Sequence, residues 1–298
     1  MNGQMISEQS PDSPFHTQVR LEPPSLRDFY KRLGVLVLFG VPAIYLGNIL
    51  NVFIHEVVGH GLTAVVLGGE FRGFVIHHDG MGWALAFSQH ERLVWATGPL
   101  SGLILGLLCM TVALRSGVSI HLRLLFFIAG GIALVNECSY LFFNAVFPRP
   151  PGDIGRILLS FDSASLRWAL ILVTGVGFVS CMIILNVLVL RFIEEVAGPL
   201  SRIRALLVAC VVLGVIGAGV QFAFDWNQLI VDVGRLPQLV SAGMQVAVIP
   251  IALRFRRYTR RHGPEPLRDW LPSIRLVWIA AGLVALVTEF LLSKGIIW

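Results

Sequence analysis

The sequence predicts an all-α polytopic membrane protein with about seven transmembrane helices and a short β-hairpin after the first. Of the 298 residues, 55% are hydrophobic and only 14% are charged, which is too little charge to cover a soluble protein of this size. Apolar runs long enough to cross a bilayer recur along the chain, and basic residues flank them. The net charge of +5 therefore indicates membrane orientation and a lipid bilayer as partner, and not nucleic acid.

The first apolar run, residues 34–67, follows a polar tail (1–32) without a cleavable signal peptide. It is longer than the roughly 20 residues that span a bilayer, and Pro42 and Gly47 predict that it is kinked. If residues 34–67 cross the bilayer once, most Lys and Arg residues lie on the same side of the membrane as the N-terminus. If they cross twice, the positive charge is no longer concentrated on one side. We therefore predict one long, bent span.

Within this run the stretch HEVVGH (residues 55–60) sets two imidazoles and a carboxylate among apolar residues. Burying three ionisable groups in a membrane is costly unless they bind a partner, so the cluster predicts a functional site. The nearest template is His-Glu-x-x-His on a helix, where both histidines bind zinc and the glutamate is the general base. His55 and His60 are the corresponding candidate ligands, and Glu56 is the candidate base.

The motif contains one residue more than that template. On a regular α-helix residues i and i+5 point about 140° apart, compared with about 40° for i and i+4. A π-bulge absorbs one residue and would return His55 and His60 to one face, and Gly59 is expected to ease that distortion. The spelling His-Glu-x-x-Gly-His also resembles the zinc motif of dipeptidyl peptidase III, which accommodates the same insertion.

A hairpin is predicted after the first helix, which Gly68-Gly69 should end. Residues 71–76 and 81–88 have strand character and flank Asp79-Gly80, a hairpin turn signal. A short sheet beside a buried site predicts a place where an extended peptide binds by strand addition. Three histidines near the hairpin are further candidate metal ligands, although histidines in loops more often face solvent: His77, His78 and His90.

The second and third spans, residues 93–114 and 122–147, differ in character. The second opens with small residues around Gly98-Pro99, for which close helix packing is a sufficient explanation. The third carries three polar residues at membrane depth: Asn136, Glu137 and Asn144.

The third span runs into the segment FPRPPGDIGR (147–156), which predicts a broken helix or loop that faces protein or a wet cavity. A carboxylate there suits the third protein ligand of a catalytic zinc. Asp153 is the leading candidate, and Glu137 is the alternative because it also lies deep in an apolar run.

Four further spans are predicted, at 166–193, 203–224, 236–253 and 274–292. The basic cluster at 254–261 directly follows a span and is expected to bind anionic lipid headgroups. The chain thus divides into a polar tail (1–32), a membrane core (33–160) and additional helices (161–298) with a basic interfacial loop at 254–275.

The order of these motifs resembles the site-2 protease family of intramembrane zinc metalloproteases over about residues 50–160. The residues that carry the resemblance are HEVVGH, the Gly-Gly and hairpin, Gly98-Pro99-Leu100, and NAVFPRPPGDIGRIL (144–158). The resemblance implies cleavage of a peptide bond within or beside a transmembrane helix of a membrane-protein substrate. It implies that His55, His60 and Asp153 hold a zinc ion. It also implies that Glu56 activates water and that Asn144 positions the substrate or stabilises the oxyanion.

The chain departs from the family pattern in the inserted motif residue and in Asp153-Ile154-Gly155, where the family has Asp-Gly. Two alternatives therefore stay open: a zinc-binding relative without proteolytic activity, acting as a membrane scaffold, and a metal or proton transporter. A di-iron oxygenase would need several histidine boxes, and this chain has eight histidines of which several are isolated. We expect a multi-pass protein of a prokaryotic plasma membrane, and the sequence indicates no oligomeric state.

Overall fold

The computed structural model describes residues 25–77, 82–146, 153–160, 164–197 and 267–297. The chain there is mostly helical, with one small three-stranded sheet. The helices are α1 (Leu26–Phe53), α2 (Thr63–Val66), α3 (Glu91–Ala113), α4 (Ile120–Val146), α5 (Asp153–Leu159), α6 (Ala164–Ala197) and α7 (Trp270–Val287). A π-helical segment (Ile54–Leu62) joins α1 to α2. A 3-10 turn (Leu267–Asp269) precedes α7, and a second π segment (Thr288–Leu292) follows it. The strands are β1 (Glu70–Ile76), β2 (Gly82–Phe87) and β3 (Ile296–Ile297).

Five of the described helices are long and apolar enough to cross a membrane: Leu26–Val66, Glu91–Ala113, Ile120–Val146, Ala164–Ala197 and Trp270–Leu292. Each coincides with a predicted span, so the chain is a mostly helical integral membrane protein. The predicted spans at 203–224 and 236–253, the basic cluster at 254–261 and most of the polar tail lie outside the described residues. Seven spans in all therefore stay a prediction.

The first span is one continuous helix of 41 residues. Ser25 caps its start, because its side-chain oxygen accepts a hydrogen bond from the Asp28 N–H at 3.2 Å. The helix thus begins inside the stretch predicted as a polar tail. Pro42 lies within α1 without ending it, and a helix without a reversing turn crosses a bilayer once, as the charge distribution predicts.

Glycines allow α3, α4 and α1 to pack closely. A Cβ at Gly106 of α3 would lie 2.7 Å from Leu134 Cγ of α4, and one at Gly47 of α1 would lie 3.0 Å from Ala129 Cα. Small residues at such contacts are what membrane helices use to bring their backbones together. The π segment packs against α3 on one side and against β1 and β2 on another.

The later helices pack onto this core. α6 contacts α4 and α1, and α7 contacts α1. At the start of α7 the buried indole of Trp270 meets Phe39 of α1 edge to face, with ring centroids 5.9 Å apart. The helices beyond the predicted membrane core thus continue the same apolar interior.

The predicted hairpin strands are confirmed by an antiparallel pair in which Phe74 of β1 lies opposite Ala84 of β2. Strand β3, which sequence reasoning did not predict, pairs with the other edge of β1 at Gly73 and Phe74. Gly73 has φ +152°, and a Cβ there would collide with the Ile296 carbonyl oxygen, so only glycine fits this pairing. The strand order β2-β1-β3 leaves β2 as an edge strand.

Candidate metal centre

The site begins with the local shape of the HEVVGH motif. Nine residues, Ile54–Leu62, form a π-helix, in which hydrogen bonds join residues five apart and such residues share a face. The rings of His55 and His60 consequently lie edge to face with centroids 5.0 Å apart. The π distortion predicted from the inserted residue is confirmed.

Two hydroxyl groups of α3 support the π segment. The Thr97 hydroxyl lies 2.8 Å from the Gly59 carbonyl oxygen, and the Ser101 hydroxyl lies 3.1 Å from the Ile54 carbonyl oxygen. Each hydroxyl also lies within hydrogen-bond distance of the carbonyl three residues earlier in α3, so its single proton is shared. A backbone carbonyl in a membrane needs a donor from the protein, and α3 supplies donors where the helix departs from α geometry.

Asp153, the first residue of α5, brings its carboxylate to both imidazoles. Its Oδ2 lies 3.2 Å from His55 Nε2 and 3.3 Å from His60 Nε2, and one donor atom from each of the three residues lies within 4.8 Å of the others. A tetrahedron with zinc–ligand bonds of about 2.0–2.1 Å has edges of about 3.4 Å. Two imidazoles and one carboxylate at this spacing fit a zinc site with a fourth position open.

Hydrogen bonds at the other ring nitrogens orient both imidazoles. His60 Nδ1 lies 2.7 Å from the Val94 carbonyl oxygen, and His55 Nδ1 lies 3.1 Å from Glu137 Oε1. A carbonyl oxygen and a carboxylate oxygen accept hydrogen bonds, so each Nδ1 carries the proton and donates. Both Nε2 atoms face Asp153 Oδ2, and a hydrogen bond at the other ring nitrogen is typical of metal-binding histidines.

Gly98 gives the donor atoms their space. A Cβ at this position of α3 would lie 2.5 Å from His60 Nε2 and 2.7 Å from His55 Nε2, so a side chain there would crowd the two nitrogen atoms that would hold a metal. Gly98 therefore leaves room for the two imidazole rings in addition to allowing close helix packing. Helix packing alone, which is a sufficient explanation of this segment from its sequence, does not account for that room. Gly59 has the complementary role: its own Cβ would lie 2.5 Å from Gly98 Cα, so it allows close approach to α3.

Glu56 lies within the same buried group. The residue is 9% exposed, and it directly follows the candidate ligand His55 in the π segment. A Cβ added to Gly82 would lie 3.2 Å from Glu56 Cγ. Glu56 therefore lies next to a candidate metal ligand in the π segment and against the first residue of β2.

Tyr140 of α4 is a site residue that sequence reasoning missed. Its hydroxyl donates to Asp153 Oδ2 at 3.1 Å and accepts from the Asp153 N–H at 2.8 Å, which fixes the start of α5. The available signal was helix periodicity, because Glu137, Tyr140 and Asn144 are three and four residues apart and share one face of α4.

The structure places the other candidate residues differently. Glu137 contacts Nδ1 of His55 and takes no place among the three possible ligands. The Asn144 amide donates to the Tyr140 carbonyl oxygen at 2.9 Å, a bond within α4, so its role toward a substrate stays a prediction. In the described part of the chain His77 and His90 lie outside the group of possible ligands, and His78 is not among the described residues.

Comparison with known proteins finds a family model that is similar to part of the chain. Residues 32–143 match the model described as Peptidase M50B-like, of the site-2 protease family, so the predicted resemblance is confirmed. The matched region contains the HEVVGH motif, the hairpin, α3 and most of α4, and it ends before Asn144 and Asp153. No curated protein and no solved structure matches the chain significantly.

Proposed function

We propose, proceeding from the similarity of residues 32–143 to the Peptidase M50B-like family, that this chain is an intramembrane zinc metalloprotease. It hydrolyses a peptide bond in or near a transmembrane segment of a membrane-protein substrate. The observation that carries the proposal is the approach of Asp153 Oδ2 to His55 Nε2 and His60 Nε2 at 3.2 and 3.3 Å.

In this proposal His55, His60 and Asp153 hold the zinc ion. Zinc in such a site supplies a Lewis acid that polarises a carbonyl group and lowers the pKa of a water ligand. The hydrogen bonds from the two Nδ1 atoms and from Tyr140 keep all three donors aimed at one point. These hydrogen bonds support the proposed ligand set because each holds a ring or the carboxylate in the orientation that the proposal requires.

Glu56 is the proposed general base. It directly follows His55 in the π segment and is buried, and its carboxylate would accept a proton from the attacking water. It then returns that proton to the leaving amine nitrogen, as the glutamate of His-Glu zinc motifs does. Asn144 is the proposed positioning residue for substrate, which requires its amide to leave the Tyr140 carbonyl.

The edge of β2 is the proposed binding place for the substrate chain. Gly82 begins this strand beside Glu56, and no other strand among those described pairs with its outer edge. An extended peptide can add to such an edge through main-chain hydrogen bonds. Trp83 and Phe87, 44% and 49% exposed on the same strand, offer apolar contacts to side chains from a transmembrane segment.

The proposal is tested with the full chain reconstituted in liposomes together with detergent-extracted membrane proteins of a prokaryotic host. New protein N-termini are then mapped by mass spectrometry. We expect new termini in or near apolar segments with the wild type and none with Glu56→Gln, while elemental analysis finds about one zinc per chain in both proteins. A matched control, His90→Ala, should retain both zinc and cleavage.

Four results would contradict the proposal. Identical termini from the wild type and Glu56→Gln would exclude Glu56 as base. Zinc without any new termini would favour the non-proteolytic scaffold, and zinc flux into the liposomes would favour transport. Loss of zinc in His90→Ala but not in Asp153→Ala would overturn the ligand set.

A further inference from the structure

We propose that Glu137 is a positioning residue that holds the His55 imidazole for metal binding, and that Asn51 in turn holds Glu137. The inference rests on the proposed function, because it assumes a metal at His55. It gives a role to a carboxylate that the three-ligand site leaves unused.

The Glu137 carboxylate is surrounded by protein. Its side chain lies in the middle of α4 and the residue is 2% exposed. Oε1 accepts from Asn51 Nδ2 at 3.0 Å and from His55 Nδ1 at 3.1 Å. Glu137 Oε1 thus accepts one hydrogen bond from Asn51 in α1 and one from His55 in the π segment. The Asn51 amide thereby fixes the position of the carboxylate oxygen that contacts the His55 ring.

Helix α3 also packs against the Glu137 carboxylate, in addition to α1 and the π segment. A Cβ at Gly102 would lie 2.5 Å from Glu137 Oε1 and 2.7 Å from its Cδ. Glycine at this position therefore makes the room that the carboxylate occupies. Gly98, one turn earlier, makes the room at the two Nε2 atoms, so the same helix shapes both sides of the His55 ring.

A buried carboxylate at membrane depth is costly and marks a functional contact. Packing alone would be served as well by an apolar side chain, whereas a carboxylate on Nδ1 fixes the tautomer and the ring orientation of a metal-binding histidine and raises its basicity. Loss of such a partner lowers metal affinity about 10- to 100-fold. Glu137 meets the geometric conditions for this role at His55, as the Val94 carbonyl does at His60.

The test measures zinc dissociation constants of the full-length protein in detergent by competition with a chelator, and records the visible spectrum of the Co²⁺-loaded protein. Glu137→Ala should weaken zinc binding about 10- to 100-fold and change the Co²⁺ spectrum. Glu137→Gln keeps an oxygen that accepts from both donors, so it should restore most of the affinity. Asn51→Ala removes only the hydrogen bond from Asn51 to Glu137. Its zinc affinity should lie between those of the wild type and Glu137→Ala.

The matched control is Asn136→Ala. Asn136 precedes Glu137 in α4 and donates to Asn48 Oδ1 of α1 at 3.0 Å, so its loss removes a polar contact between the same two helices away from the metal. Wild-type affinity in this control supports the inference. Wild-type affinity in Glu137→Ala, or equal losses in Asn136→Ala and Glu137→Ala, would overturn it while leaving the protease proposal intact. A wild type that binds no zinc would overturn both.

Discussion

The backbone of Gly98 lies directly against the imidazole of His60: a Cβ at position 98 would fall 2.5 Å from His60 Nε2. Gly98→Ala should therefore displace the histidine and abolish zinc binding and proteolysis. Alanine is about 1 kcal/mol more favourable than glycine within a helix, so the substitution should not weaken the helical conformation of α3 itself. The measurement is zinc content, together with the thermal unfolding temperature of the metal-free protein.

Gly106→Ala is the control for this substitution. It lies about 12 Å further along α3, and its Cβ would meet the Leu134 side chain at 2.7 Å. It should lower stability through the contact between α3 and α4 but retain zinc. Retention of zinc by Gly98→Ala would show that the glycine serves helix packing alone.

Tyr140 is expected to hold Asp153 in place. Tyr140→Phe removes one hydrogen bond to the carboxylate and one from the Asp153 backbone, so we expect zinc affinity to fall about 10- to 100-fold, the usual cost of losing a partner of a metal ligand. Chelator competition measures the change. Tyr45→Phe is the comparison, because Tyr45 is a partly buried tyrosine of α1 about 15 Å from His55; an equal loss there would contradict a specific role for Tyr140.

The Thr97 hydroxyl is expected to stabilise the π segment. Thr97→Val keeps the shape of the side chain but removes the donor to the Gly59 carbonyl, which should cost about 1 kcal/mol of unfolding free energy, within the range for hydrogen bonds in membrane proteins. Because the π geometry sets the directions of His55 and His60, zinc affinity should also fall. Unfolding in a denaturing detergent measures the free energy of unfolding, and chelator competition measures the zinc affinity.

Thr111→Val is the matched change on the same helix. The Thr111 hydroxyl is exposed and donates to the Leu107 carbonyl of α3 itself. This variant should leave zinc affinity unchanged, and its effect on stability should be smaller. If Thr97→Val and Thr111→Val behave alike, the hydroxyl at position 97 does not support the π segment.

Much of the fold could be predicted from composition and local pattern. The apolar runs predicted the five described spans because length and hydropathy are local properties of the sequence. The five-residue spacing of His55 and His60 predicted the π segment because it conflicts with the period of an α-helix. Strand β3 escaped prediction because two residues, Ile296 and Ile297, carry no detectable strand pattern and pair with residues far away in the chain.

The sequence by itself determined that ionisable side chains lie in apolar helices, which residues those are, and that His55, Glu56 and His60 belong to one motif. It left open whether Asp153 or Glu137 completes the site, since both are carboxylates near membrane depth. Tertiary structure decided their positions: α5 brings Asp153 to Nε2 of His55 across 98 residues of sequence, and α4 brings Glu137 to Nδ1 of the same ring across 82. The physical reason is that periodicity specifies the face of a helix, whereas the distance between two faces depends on how closely glycines such as Gly98 and Gly102 allow the helices to pack.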